Sequence, residues 1–357
     1  MSGALFLTGG TGFLGMELIA RMLEAGDGPD IYVAIRADDP LAAQTRLAET
    51  VGRLWETPPE SIARLRAVRA DLTAPGLGLT ASVRDELAAN VERVVHCAAS
   101  IAFTLPLAEA RGVNVEGTRR VLELAADLPR LERVVHVSTA YVSGRTPDVF
   151  DESHPGGSGF RNTYERTKME AEVAVRASGL PYAIVRPSIV VGEAASGWTA
   201  AFNVLYWPLQ AFARGLLPLV PADPDGIVDM VPVDYVAEVI ERATFEPGAT
   251  GCFHAVAGER AILVRDLIAA VCSELSLEAP ELTPPNTLPD GHPAEIFAPY
   301  FDVNTRFDDS RAQKLVSEPA PEPVTYLPQL LEFAQAARWG KSPITREAAR
   351  LLAAARS

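Results

Sequence analysis

Cysteine is scarce in this chain. Cys97, Cys252 and Cys272 are odd in number and far apart, which excludes a disulfide framework and fits a reduced, cytoplasmic chain. Neither they nor the five histidines recur at metal-ligand spacing, so no metal site is expected. Positive charge is in deficit as well. Lys and Arg total 32 against 46 Asp and Glu, a formal net charge of −14. That balance argues against a nucleic-acid surface, although a local basic cluster can still receive an anionic substrate. There is no low-complexity tract and no internal repeat, and the opening "MSGALFLTGG" has neither the basic start nor the apolar core of a signal peptide. Long apolar runs are missing too. The nearest is Thr199 to Pro221, interrupted by Pro208, Arg214 and Gly215. A membrane span needs about 20 uninterrupted apolar residues, so none is expected. A buried or groove-lining helix is the reading, and contact with a lipid surface is the lesser alternative.

What is present is a large apolar fraction, 48% of 357 residues, enough for one large or two moderate domains with a real core. The first half alternates short β-branched runs with helical stretches. "ALFLT", "IYVAI", "RLRAVRA", "RVVHCA", "RVVHVST" and "YAIVRPS" read as strands, with one long helix expected over "GVNVEGTRRVLELAADL". This alternation predicts an α/β fold, a doubly wound parallel sheet whose ligands bind at the carboxyl ends of its strands. After about Ile189, Pro and Gly become frequent, and 279–299 reads as irregular chain. "GIVDMVPVDYVAEVIERA" and "CFHAV" return to the sheet. The expected organisation is a dinucleotide-binding domain over 1–190 with a return segment at about 226–258. A discontinuous substrate-binding region takes 191–225 and 259–335, and a peripheral serine-capped helix 336–357.

"LFLTGGTGFLG" places Gly9, Gly12 and Gly15 at three-residue spacing between an apolar strand and a helix. Glycine permits the tight turn and close backbone approach to a pyrophosphate, and the helix N-terminus supplies free N–H groups, the Rossmann-type arrangement. The ribose-reading position at the end of the second strand holds Arg36, in "VAIRADD". A guanidinium suits a 2′-phosphate, so NADP(H) is favoured, with Asp38 and Asp39 as nearby competitors.

Tyr164 and Lys168 lie one helical turn apart in "NTYERTKMEAE", so phenol and ammonium share a helix face. Ser138 and Thr139 close the fifth strand in "VVHVSTAYVSG". This combination of TGxxGxxG loop, strand-end hydroxyls and YxxxK resembles the extended short-chain dehydrogenase/reductase family over residues 1 to about 260. The resemblance implies that Thr139 hydrogen-bonds the substrate oxygen and that Tyr164 protonates it. It further implies that Lys168 binds the nicotinamide ribose and lowers the phenol pKa from about 10. It implies that Asn114 braces the active-site backbone. Thr8, Gly9, Gly12, Phe13, Leu14 and Gly15 would hold the pyrophosphate. Asp71 and Leu72 would meet the adenine, while Ala98, Ala99, Ser100 and Ser138 line the far side of the cofactor and Pro187, Ser188 and Ile189 close over the nicotinamide.

Within that family, "TGGTGFLG", "VAIRA" followed by Arg46, "STAYV" and "ADPDGIVDMVPVD" look most like thioester reductases and fatty acyl-CoA reductases. There Arg36 and Arg46 would both grip the 2′-phosphate, and the expected reaction is reduction of an acyl thioester to an aldehyde or alcohol. Coenzyme A or an acyl carrier protein would present the acyl group. Three alternatives stay open: an aldehyde or ketone reductase, a sugar-nucleotide epimerase on the same scaffold, and a dinucleotide-sensing or acyl-binding module without turnover. Ala140 and Tyr141 stand after Thr139 where dehydratases resemble one another in placing acids, Arg36 opposes an epimerase, and the intact Tyr164 and Lys168 oppose a silent sensor.

Overall fold

The computed structural model describes residues 3–146, 148–202, 205–214, 219–284, 300 and 303–356. Short runs rich in Val and Ile form a seven-stranded sheet: β1 (Ala4–Thr8), β2 (Ile31–Ile35), β3 (Leu65–Arg69), β4 (Val91–His96), β5 (Arg133–Val137), β6 (Tyr182–Pro187) and β7 (Gly251–Ala255). Their order is 3-2-1-4-5-6-7 and every neighbouring pair is parallel. Strand order reverses between β1 and β4, so the connections there leave in opposite directions and open a crevice at the strand ends. All of β1 is buried, as a strand covered on both faces must be.

One face of the sheet is covered by α1 (Phe13–Glu24), α2 (Pro40–Leu54) and, later in the chain, Val233–Phe245. The other is covered by α3 (Ala81–Asn90), α5 (Glu116–Ala126) and α6 (Thr163–Ala177), with α4 (Leu107–Asn114) packed against α5 and α6. A third apolar cluster gathers the chain after about Ile189. It joins α7 (Tyr206–Ala213), the parallel pair Ile189–Val191 and Met230–Pro232, and helices α9 (Val264–Leu275) and α10 (Pro323–Ala336), α8 being Val233–Phe245. Tyr141, Val142 and Phe150 also pack into it, so the loop after β5 belongs to both regions.

Four sequence expectations change. The long helix is two, α4 and α5, parted at Val115, where the Thr118 hydroxyl claims the Asn114 carbonyl at 2.6 Å and competes with the backbone ladder. Part of the irregular stretch is ordered: Glu281–Thr283 pairs in parallel with Leu219–Pro221, while 285–299 lies outside the described residues. The last helix, α11 (Arg346–Ala354), is capped by Thr345 rather than a serine, its hydroxyl accepting from Ala348 N at 3.1 Å. Nor is that helix merely peripheral, because buried Arg346 anchors it to α1. Among the described residues no helix is long and apolar enough to cross a membrane. Within Thr199–Pro221, α7 buries Tyr206, Leu209 and Ala211, and Gly215 lies outside the described residues.

Candidate active site

The turn after β1 is built around what it cannot accommodate. Gly9 has φ +78°, and a Cβ there would sit 2.6 Å from Ala98 N. A Cβ on Gly15 would meet Gly9 O at 2.2 Å. Both obstacles are backbone and cannot step aside. Gly12 donates from its N–H to Gly9 O at 2.9 Å and caps α1 with no side-chain hydrogen bond to the helix end. The Phe13, Leu14 and Gly15 N–H groups therefore begin an uncovered N-terminus, which attracts phosphate. A dinucleotide pyrophosphate fits this cradle. The Phe13 ring packs 5.8 Å from Trp198.

Thr8 ties β1 to the loop after β4. Its hydroxyl accepts from Ala98 N at 3.2 Å and bonds His96 Nδ1 at 2.7 Å. The far nitrogen, His96 Nε2, lies 3.0 Å from Thr118 Oγ1. Because the Thr118 hydrogen goes to Asn114 O, Thr118 must accept from His96, which fixes His96 as the Nε2–H tautomer with Nδ1 receiving from Thr8. Burial pushes His96 down to about 3, so the ring is neutral. Asn114 is a hub: its Oδ1 accepts from Ser100 N at 2.8 Å, and its Nδ2 donates to Ser100 O and Thr167 Oγ1, each at 3.0 Å. It thereby locks the Ala98–Ser100 loop after β4 to α6. Leu72 O accepts from Arg120 at 2.8 Å, and Asp71 is held by Thr73, whose N–H and hydroxyl donate to Oδ1 and lower its pKa.

At the end of β2 Arg36 and Arg46 are both exposed, and Arg46 Nη1 donates to the backbone carbonyl of Arg36. Asp39, a competitor in the sequence, is spent as the N-cap of α2, accepting from Ala42 N at 2.8 Å. Among the described residues neither guanidinium pairs with a carboxylate, so both are open to a phosphate.

Tyr164, half-buried, and Lys168, buried, project from α6, and the Thr139 hydroxyl lies within hydrogen-bonding reach of the phenol. Thr139 Oγ1 also donates to Pro187 O at 3.4 Å and accepts from Tyr141 N at 3.3 Å. Ser138 Oγ is buried without a partner among the described residues. Ser188 and Ile189 are fixed through their N–H groups to Ala255 O and Asp229 O, at 3.3 and 3.2 Å.

One expectation is corrected by these surroundings. The phenol is raised, not lowered: burial desolvates the phenolate, Cys97 and Glu165 add to the effect, and Thr139 opposes it. Lys168 is itself desolvated, down to about 8, and its Nζ faces His136 Nε2 at 3.2 Å. Cys97 borders the same crevice, but burial raises its thiol to about 11, so it is not a thiolate nucleophile at neutral pH.

Residues missed in the sequence fall into two groups. His96 and His136 end the repeated tetrapeptide Arg-Val-Val-His, and parallel register sets them opposite each other with ring centroids 5.3 Å apart. That repetition was the available signal. Phe103 and Tyr300 had none: their rings stack at 5.4 Å, and Phe103 lies 6.0 Å from the Tyr164 ring. The open cleft between α2 and β3, lined by Leu47, Val51 and Trp55, carries none of the candidate catalytic groups.

The sequence profile of the male sterility protein family matches residues 7–240. The chain is 29% identical over 280 residues to the fatty acyl-CoA reductase wat of Drosophila melanogaster, covering 68% of this chain and 54% of that protein. It is 30% identical over 279 residues to fatty acyl-CoA reductase 1 of Xenopus laevis, with the same two coverages, 68% and 54%. The chain thus spans about half the length of these curated relatives. Among solved structures, the terminal R domain of the myxalamid PKS-NRPS pathway superposes with TM-score 0.80 at 23% identity, covering 96% of this chain and 93% of that one. The Bordetella bronchiseptica enzyme WbmG, solved with NAD, superposes with TM-score 0.70 at 19% identity, covering 97% of each chain. At these identities the structural likeness speaks for the fold.

Proposed function

The chain belongs to the male sterility protein family, and from that premise we propose that it is an NADPH-dependent reductase acting on the carbonyl carbon of an acyl thioester, coenzyme A- or carrier-bound. What supports this reading is the placement of Tyr164 and Lys168 one turn apart on α6, with Thr139 at the end of β5 acting on the phenol, and an α1 N-terminus with no side-chain cap. The relatives support the substrate class, since they are named as fatty acyl-CoA reductases.

The backbone of Gly9 to Gly15 would hold the pyrophosphate, Arg36 and Arg46 the 2′-phosphate, and Lys168 the nicotinamide ribose. The reduced nicotinamide, when bound, supplies the hydride. Thr139 orients the thioester oxygen through its hydroxyl, and Tyr164 gives its proton to that oxygen as negative charge grows there. A raised phenol pKa keeps Tyr164 protonated before reaction, so the donor is loaded when the carbonyl arrives. The hemithioacetal so formed releases thiol and aldehyde, and the same groups can serve a second reduction to the alcohol. The high pKa of Cys97 favours direct reduction over a covalent acyl-cysteine.

The test follows NADPH absorbance with an acyl-CoA, a carrier-bound acyl thioester, a free aldehyde and a nucleotide sugar. Oxidation with thioesters, lost on Tyr164→Phe, is the expected result. Turnover of only the aldehyde or the nucleotide sugar would replace the substrate assignment, and unchanged turnover in Tyr164→Phe would remove the phenol from the mechanism.

A further inference from the structure

Lys168 is 1% exposed, an ammonium out of water, and a group so placed needs a hydrogen-bond acceptor. Two candidates on α6 are otherwise engaged. Glu172 is taken by Arg186 at 2.9 and 2.7 Å and by Arg176 at 2.8 Å, and Glu165 by the Tyr300 hydroxyl at 2.9 Å. What faces Nζ is the ring of His136 on β5, with Nε2 at 3.2 Å. An ammonium only donates, so Nε2 must be bare and the ring proton must sit on Nδ1. Nδ1 is buried with no partner among the described residues. The proton therefore rests on the nitrogen that gains nothing from it, and the nitrogen beside the lysine is left as acceptor.

We propose that His136 is the positioning residue for Lys168: an imidazole whose bare Nε2 holds the ammonium in place on α6, one helical turn from Tyr164. The ring stays uncharged because it is fully enclosed and because Lys168, His96 and Arg176 all oppose a second positive charge. His96 on β4 is committed to Thr8 and Thr118 and cannot replace it. The remaining groups around Nζ are the neutral Cys97 thiol in the loop after β4, the neutral His96 ring on β4 and Glu172 on α6, whose carboxylate favours the ammonium. The catalytic meaning of this contact rests on the proposed reductase reading; the contact itself does not.

Only three lysines occur in the chain, Lys168, Lys314 and Lys341, so selective 13Cε labelling follows Lys168 directly. In the wild type, 15N shifts of the His136 ring should report Nδ1–H with Nε2 unprotonated across neutral pH. In His136→Leu the Lys168 titration should move down by about one unit or more, and the basic limb of kcat/KM should move with it. In His136→Gln, where the amide oxygen can reach the Nε2 position, both should return toward wild type. A wild-type ring protonated on Nε2, or a Lys168 titration unchanged in His136→Leu, overturns the proposal. If His136→Leu does not fold, the wild-type tautomer and the glutamine variant decide. If the titrations behave as stated while no thioester is reduced, the reaction assignment fails and the His136 assignment stands.

Discussion

Arg346→Met tests whether the C-terminal helix is held by buried charge. Arg346 is 1% exposed and bonds Glu17 through Nε at 2.7 Å and Nη2 at 2.6 Å, and Glu24 at 2.6 Å. Its Nη2 also lies 3.2 Å from Glu193, which Arg350 meets at 2.7 Å from the other side. Glu17 is raised from 4.5 to about 7, chiefly by burial and against the pull of Arg346. Glu193 is lowered because two arginines and Ser196 serve it. A carboxyl whose folded pKa exceeds its unfolded one holds a proton that the unfolded chain releases. Its stabilising contribution is complete below about pH 4.5 and lost as pH rises through about 7. At about 1.4 kcal/mol per unit, the ionised Glu17 already costs roughly 3 kcal/mol above neutrality. Removing Arg346 takes away that opposing pull, so Glu17 must either ionise unpaired or take up a proton in the folded state. The expected loss is about 3–5 kcal/mol at pH 8 and about 1.4 kcal/mol smaller at pH 5, where Glu17 is protonated in both proteins and only the one unit between its pKa of about 7 and pH 8 is at stake. Urea unfolding at the two pH values measures it, and adding Glu17→Gln to Arg346→Met should remove most of the extra loss seen at pH 8. Equal losses at both pH values, with no recovery in the double variant, would refute the reasoning.

Gly15→Ala should weaken NADPH binding by about tenfold or more, because the new Cβ meets Gly9 O at 2.2 Å and Gly10 Cα at 2.8 Å, both backbone. Gly52→Ala on α2, with open space around its Cβ, should leave affinity unchanged and raise stability by about 0.5–1 kcal/mol. Isothermal titration and thermal melts read the two, and equal affinity in Gly15→Ala would refute the cradle. Lys168 is lowered to about 8 by burial, so its charged form and the activity depending on it should fall as pH rises through about 8. A kcat/KM flat to pH 10 would contradict that. Arg36→Ala should raise the Kd for NADPH by about tenfold or more and leave NADH nearly unchanged; equal loss with both cofactors would count against the 2′-phosphate role.

The cofactor half was legible because its determinants are local. Glycine spacing, strand–helix alternation and a Tyr–Lys pair one turn apart each lie within a few residues, and parallel topology then brings the strand ends together. What escaped is set by distant partners. Glu17 reads as a surface residue of α1 until Arg346, 329 positions later, is laid over it. The Arg-Val-Val-His repeat was visible, but only register converts it into facing histidines. The direction of the Tyr164 shift was misread for a related reason. A nearby cation lowers a phenol pKa when its charge is available, whereas Lys168 is desolvated and directed at His136, so burial dominates.

The two regions of the chain are also mechanically less separate than composition suggests. Asn162 caps α6, its Oδ1 accepting from Glu165 N at 2.9 Å, while its Nδ2 donates to the Tyr300 hydroxyl at 2.8 Å. That hydroxyl donates in turn to Glu165 Oε1 at 2.9 Å, and the Tyr300 ring stands edge-on to Tyr141 at 5.0 Å. The first turn of the helix that carries Tyr164 is thus completed by a side chain from far along the chain, 135 positions from Glu165. A buried carboxylate and a capping amide that share one hydroxyl have little freedom to shift separately, because each would leave a polar group unpaired in the interior. The position of the phenol is therefore set jointly from the sheet side, through Asn114 and Thr167, and from the later part of the chain, through Tyr300.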